Sequence, residues 1–316
     1  MSKSSSSHIT RRQMLQRSAG LAAAGALGAK AGVAQAAGAA VTNGRIKQSI
    51  VYWCFETAGD KWGIEKMCQI AKQLGVTSVE LLDAKHYPVL KQHGLTNAIA
   101  QIDMSPDAPF VFGFNNPDNW PRVIKATEEA IDGAAAYGYP SVICFTGYSA
   151  KNPHDPKSPR ISPERGAKNC VEGFKKIVRY AEKKNITLCM EMLNTRATDH
   201  PMKGHPGYQG DHVDYCIDII RKVGSPRLKL LFDVYHVQIM DGDIVRRIGQ
   251  IKEFIGHVHV AGVPGRGELD AKQEVNFPPI MQALLDAGYT GYVGQEFIPT
   301  RDALQGLREA ISLCDV

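Results

Sequence analysis

From Lys47 to the carboxyl end, short apolar runs alternate with longer segments whose apolar residues recur at helical spacing. The runs cover residues 49–55, 78–82, 95–102, 141–145, 187–192, 228–233, 256–260 and 291–296, and they are rich in Val, Ile, Leu or Phe. A strand that reads as a near-continuous apolar run is buried on both faces, as in a parallel sheet covered by helices. The helical segments include 64–74, 121–137, 163–184, 211–223, 243–250, 278–287 and 300–314. Gly75, Gly138, Gly224 and Gly288 follow four of them, where a left-handed residue commonly ends a helix. Eight strands separated by helices predict an α/β fold, a single (β/α)8 TIM barrel over residues 47–316. The competing arrangement is a doubly wound open sheet. Against it, no G-x-G-x-x-G opens the first unit, and Gly265-Arg266-Gly267 has no helix start behind it. Two long connections, 147–162 and 195–210, both follow strands, so a barrel places both over its active-site face.

Charge has to be located before it is interpreted. The 316 residues hold 37 Lys and Arg against 32 Asp and Glu, a net charge of +5. Residues 1–36 contain Lys3, Arg11, Arg12, Arg17 and Lys30 and no acid; without those five, 32 basic residues face 32 acidic ones. A neutral remainder carries no electrostatic footprint for DNA, RNA or anionic lipid, so no nucleic-acid partner is expected. The same segment is similar to a twin-arginine export signal. Thr10-Arg11-Arg12-Gln13-Met14-Leu15 precedes a mild Ala- and Gly-rich stretch, 19–29, and Ala34-Gln35-Ala36 offers a small-residue cleavage pattern. The stretch is short of the about 20 apolar residues a stable membrane span needs. The expectation is a cleavable signal over 1–36, a short linker over 37–46, passage through the twin-arginine machinery and a periplasmic destination.

The seven cysteines are scattered, with no C-x-x-C pair. Cys54, Cys144 and Cys189 lie inside apolar runs and read as small buried hydrophobes, so neither a disulfide framework nor a cysteine metal site is expected.

The chemistry lies at the ends of the last four strands. They end in Glu191-Met192-Leu193-Asn194, in Phe232-Asp233-Val234-Tyr235-His236, in His257-Val258-His259-Val260 and in Gly294-Gln295-Glu296-Phe297. A barrel converges those ends on one opening. One strand-end carboxylate can cap the next helix or pair with a base. Four such residues on four successive strands are harder to assign to capping, and three carboxylates buried together without a cation repel one another. The set suits Mn²⁺ or Mg²⁺, with Co²⁺ or Zn²⁺ also feasible. His257 and His259 are read as pointing to opposite faces of their strand, which leaves His259, nearer the end, as the ligand.

At these residues the sequence resembles the hydroxypyruvate isomerase branch of the xylose-isomerase-like barrel superfamily, which also includes the ketose 3-epimerases. The resemblance covers most of residues 47–314. It is carried by Glu191-Met192-Leu193-Asn194, by Phe232-Asp233-Val234-Tyr235-His236-Val237-Gln238, by 257–266 with His257, His259 and Arg266, and by 292–297, with weaker support from Asn115-Asn116-Pro117. It implies one divalent metal held by Glu191, Asp233, His259 and Glu296, the two glutamates also serving as the acid/base pair. Hydroxypyruvate isomerases often carry Gln where His259 stands, whereas the 3-epimerases carry His.

The expected reaction is proton loss next to a carbonyl and proton return through an enediolate, converting hydroxypyruvate to tartronate semialdehyde. Arg266 is a candidate clamp for substrate carboxylate or hydroxyls, or else a solvated loop arginine. His236 is a candidate donor to a substrate oxygen, or else a partner of a metal ligand. The alternative enzyme is an epimerase or isomerase of a larger periplasmic keto-sugar, which the export signal and His259 favour. A DNA phosphodiesterase on the same barrel needs a basic face that the neutral domain lacks. A non-catalytic sugar-binding barrel is countered by the intact Glu191 and Glu296. The partner in either enzyme is a small carbonyl compound, and homo-oligomerisation stays open.

Overall fold

Seven strands, all parallel, run in the order β2-β1-β7-β6-β5-β4-β3 in a computed structural model that describes residues 38–200 and 202–316. They are β1 (Lys47–Val51), β2 (Ser78–Glu80), β3 (Ser141–Phe145), β4 (Thr187–Glu191), β5 (Leu228–Asp233), β6 (Ile255–Val260) and β7 (Tyr292–Gln295). Every residue of β2 and β3 is buried, as near-continuous apolar runs predict. Helices between the strands form the outer layer, and Gly75, Gly138, Gly224 and Gly288 all have positive φ. The seven cysteines are buried and unpaired. The signal predicted for 1–36 lies outside the described residues. No helix among those described is long and apolar enough to cross a membrane.

The eighth strand expected at 95–102 is corrected by the structure. That segment closes the sheet between β2 and β3 by single bridges at Thr96 and Ala100 rather than by a ladder. Between them the backbone of Ala98 is met by side chains: its N–H donates to Ser78 Oγ at 2.9 Å, and its carbonyl accepts from Ser141 Oγ at 2.7 Å. Hydroxyls inserted from both neighbours replace the strand-to-strand bonds there, so the closure is irregular. The first run is corrected as well. β1 ends at Val51, and a short helix, Tyr52–Thr57, continues from it with Tyr52, Cys54 and Phe55 buried.

The stretch read as a linker lies against the amino end of the barrel. Ala40 and Val41 donate to the carbonyl of Leu74, and the backbone N–H groups of Thr42, Asn43 and Gly44 all donate to the carboxylate of Asp315.

Candidate active site

Each strand end delivers its functional side chain to the same opening. Glu191 and Asp233 are the last residues of β4 and β5, His259 is the penultimate residue of β6, and Glu296 follows β7 directly. Register aligns Asp233 with His259, and His259 with Gly294. One donor atom from each of Glu191, Asp233, His259 and Glu296 lies within 4.8 Å of the others, and all four residues are buried.

The donor atoms are without hydrogen bonds. Glu191 Oε1, Asp233 Oδ2, His259 Nδ1 and Glu296 Oε2 have none, although buried polar atoms are nearly always satisfied. His259 Nδ1 approaches Glu296 Oε2 to 2.8 Å and Glu191 Oε1 to 3.6 Å without hydrogen-bond geometry. Three carboxylate oxygens and one imidazole nitrogen, converging without hydrogen bonds, fit a divalent cation. The other oxygens of Asp233 and Glu296 are held by the protein. Asp233 Oδ1 accepts from the N–H of Tyr235 at 2.8 Å and so caps the following helix, Val234–Met240. Glu296 Oε1 accepts from Trp53 Nε1 at 3.1 Å. Capping and site duty thus fall on different oxygens of one aspartate.

His259 is fixed from behind. Its Nε2 lies 2.9 Å from Glu80 Oε1, as does His257 Nε2. This corrects the reading that the two histidines face opposite ways: residues two apart in a strand share a face. A carboxylate only accepts, so Nε2 of His259 donates and Nδ1 is the nitrogen turned toward the carboxylates. Gly294 makes room for this pair, because a Cβ there would lie 2.1 Å from Glu80 Oε1 and 2.8 Å from His259 Cδ2. Glu80 was missed in the sequence, although it ends β2 just as Glu191 ends β4, and the same strand-end rule finds it.

Arg266 and His236 both join the cluster. Arg266 is 2% exposed, which removes the solvated-loop reading. Its guanidinium lies 2.6 Å from Glu296 Oε2 and 3.5 Å from Asp233 Oδ2, and its centre sits 5.3 Å from the Trp53 ring. His236 Nδ1 accepts the backbone N–H of Asn194 at 3.0 Å, which leaves Nε2 to carry the proton, 3.5 Å from Asp233 Oδ2. Burial, then the Arg266 charge, holds His236 neutral.

The charges press on one another accordingly. Burial, aided by the Glu296 charge, raises the Glu191 carboxyl. Burial and then Glu296 push Asp233 up to about 7. Burial also works to raise Glu296, but Arg266 and then His259 outweigh it and hold that carboxyl well below the usual range. Before any cation is bound, the two glutamates are therefore displaced in opposite directions. A cavity of about 430 Å³ opens over them, bounded by Trp53, Phe110, Phe145, Leu193 and Arg266 among others.

Among curated proteins, the chain is 35% identical over 183 residues to a putative hydroxypyruvate isomerase of Homo sapiens, 58% of this chain and 62% of that protein. It is 25% identical over 248 residues to a 2-oxo-tetronate isomerase of Pectobacterium atrosepticum, 75% of this chain and 87% of that protein. The match thus spans less than two thirds of the human relative. Among solved structures, an AP endonuclease, family 2, from Brucella melitensis superposes with a TM-score of 0.67 at 24% identity, covering 83% of this chain and 97% of that one. A 3-keto-D-glucoside 4-epimerase from E. coli gives 0.67 at 17% identity, covering 85% and 98%. At those identities the likeness is one of fold. The model of the xylose isomerase-like TIM barrel family matches residues 68–315, most of the chain, and the protein belongs to that family.

Proposed function

We propose that the protein is a divalent-metal-dependent isomerase of a sugar or keto acid, moving a proton between carbons next to a carbonyl through an enediolate. The observation that carries this reading is the set of four buried donor atoms without hydrogen bonds, on Glu191, Asp233, His259 and Glu296, that converge beneath one cavity. A cation held there, Mn²⁺ or Mg²⁺ by the oxygen-rich set with Co²⁺ or Zn²⁺ feasible, supplies Lewis-acid stabilisation of the negative charge that develops on the substrate oxygens. The names carried by the relatives support isomerase chemistry.

The chain's own residues do the rest. One of Glu191 and Glu296 takes the proton from the carbon beside the carbonyl. The electron pair left by the C–H bond becomes the enediolate double bond as the carbonyl π pair moves onto its oxygen. The other glutamate, protonated at the start, gives its proton to the former carbonyl carbon, and the proton of the neighbouring hydroxyl passes to the former carbonyl oxygen as the new carbonyl forms. Return to the opposite face of the same carbon gives epimerisation instead. His236, neutral and protonated on Nε2, lies 3.5 Å behind Asp233 Oδ2 and so orients that carboxylate, and Arg266 lends positive charge between Glu296 and Asp233. Water is limited by the aromatic and aliphatic walls of the cavity.

For the substrate, the relatives favour hydroxypyruvate going to tartronate semialdehyde, whereas His259 favours a ketose or keto-sugar. The test is solvent-deuterium incorporation with Mn²⁺ present, over a panel of keto acids and ketoses. Exchange into a carbon next to the carbonyl is expected, together with loss of exchange in Glu191→Gln and Glu296→Gln. A folded, metal-loaded protein that exchanges no panel member leaves the non-catalytic sugar-binding barrel in its place. The Arg11-Arg12 segment supports export, and we propose a periplasmic destination for the chain. Replacing Arg11 and Arg12 by Lys is expected to retain the protein in the cytoplasmic fraction.

A further inference from the structure

The cavity over the glutamates has a volume of about 430 Å³. That falls among cavities of about 300–1,000 Å³, which enclose ligands of drug size. A three-carbon keto acid, with about seven non-hydrogen atoms, occupies only part of such a space. Away from Glu191, Glu296 and Arg266, much of the wall is apolar, formed by Leu81, Phe110, Ile143, Phe145, Leu193 and Ile298. The ring of Phe110 meets His205 edge-on at 4.3 Å, and burial with the Arg266 charge brings the His205 imidazole down to about 3, so that neighbour is uncharged too.

Charge points the same way. Among the described residues lining the cavity, Arg266 is the one Lys or Arg, and its guanidinium is committed 2.6 Å from Glu296 and 3.5 Å from Asp233. A substrate carboxylate would enter beside Glu191 and Glu296 with no Lys or Arg of the lining left to pair it, and uncompensated buried charge is costly.

We propose that the site takes an uncharged keto-sugar whose end remote from the carbonyl bears an apolar group, with the carbonyl at Glu191 and Glu296 and the apolar group against Phe110 and Phe145. This rests on the proton-transfer reading above and narrows its substrate class. Burying a group the size of a phenyl ring gains enough to raise binding on the order of 10- to 100-fold.

The test follows deuterium incorporation by proton NMR in the Mn²⁺-loaded chain, comparing hydroxypyruvate, D-fructose and 6-O-benzyl-D-fructose. The expected order of kcat/KM is benzylated sugar, then fructose, then hydroxypyruvate, the first exceeding the second by on the order of 10- to 100-fold. Phe110→Ala is expected to pull that ratio toward one. A measurement without turnover accompanies it: calorimetry on the metal-free chain with sorbitol and 6-O-benzyl-sorbitol, where the benzylated polyol is expected to bind more tightly by a similar factor. Hydroxypyruvate exchanging faster than both sugars overturns the substrate inference and leaves proton transfer standing. No exchange from any of the three overturns proton transfer for these compounds, and equal binding of the two polyols overturns the apolar subsite separately.

Discussion

Two sets of buried carboxylates sit at different places in this barrel and are treated in opposite ways. Asp315, at the amino end, accepts from the N–H groups of Thr42, Asn43 and Gly44 at 2.5, 2.6 and 2.8 Å and from Thr42 Oγ1 at 3.0 Å. Glu268, in the loop after β6, accepts from Thr300 N and Oγ1 at 2.8 and 2.6 Å and from Arg301 N at 3.2 Å. Both have donors on each oxygen. Glu191, Asp233 and Glu296 each retain one oxygen with no hydrogen bond. Burial alone therefore does not distinguish a site from a brace; the count of donors per oxygen does. A carboxylate completed by the chain's own N–H groups is structural, and one left incomplete where several converge awaits a ligand.

The largest effect that could break this contrast is on turnover. Glu191→Gln and Glu296→Gln are each expected to slow proton exchange about 10²- to 10⁴-fold, the range of a general acid or base. Glu191→Gln is expected to leave the melting temperature of the metal-free protein unchanged or raised, because it removes a buried charge whose Oε1 has no hydrogen bond. Retained exchange in both variants, measured by NMR, would sink the paired-glutamate scheme.

Metal removal comes next. Chelation is expected to lower the melting temperature, and Mn²⁺ at 100 times its Kd to restore about 2.7 kcal/mol. The same titration on Asp233→Asn is expected to show a smaller rise, whereas in Asp315→Asn it is unchanged. An identical response in both variants would mean that donor count had not identified the ligands.

A third effect concerns the one carboxylate of intermediate character. Glu80 Oε1 takes two histidines, while its Oε2 has no partner. Glu80→Gln offers His259 an amide in place of the carboxylate and loosens the imidazole orientation. Partners of metal-ligating histidines typically contribute about 10- to 100-fold in affinity. A weakening of that size is expected for Mn²⁺ by calorimetry, with partial recovery in Glu80→Asp.

How much of this is visible in the sequence follows from what determines each feature. Strands buried on both faces leave apolar runs, so β3 to β7 and their terminal Glu191, Asp233, His259 and Glu296 could be read directly. The 95–102 closure could not be, because it depends on Ser78 and Ser141 hydroxyls that meet Ala98 only in three dimensions. Tyr52–Thr57 was hidden because a run buried first in a strand and then in a helix has no change of period to mark the boundary. The pairing of His257 with His259 needed only the two-residue period of a strand. The burial of Arg266 between Glu296 and Asp233 is tertiary, and its loop position gave no sign of it.

The smallest expected effect tests the completed side of the contrast. Burial favours the protonated acid at Asp315, but the N–H groups of Asn43, Thr42 and Gly44 outweigh it and lower the carboxyl below its ordinary value. A group whose pKa is lower in the folded chain binds protons more readily when unfolded, so its contribution is present above the unfolded value and lost as pH falls through the folded one. Asp315→Asn keeps one acceptor and loses the charge, and is expected to cost about 1.5 kcal/mol at neutral pH. In a chain of this size that lowers the melting temperature by roughly 2–3 °C. The difference between wild type and variant should shrink on acidification toward the folded pKa, while proton exchange at neutral pH is unaltered. A pH-independent difference would mean that Asp315 acts by shape and not by charge. Loss of exchange in a stable variant would tie the amino end of the barrel to the chemistry at its other mouth.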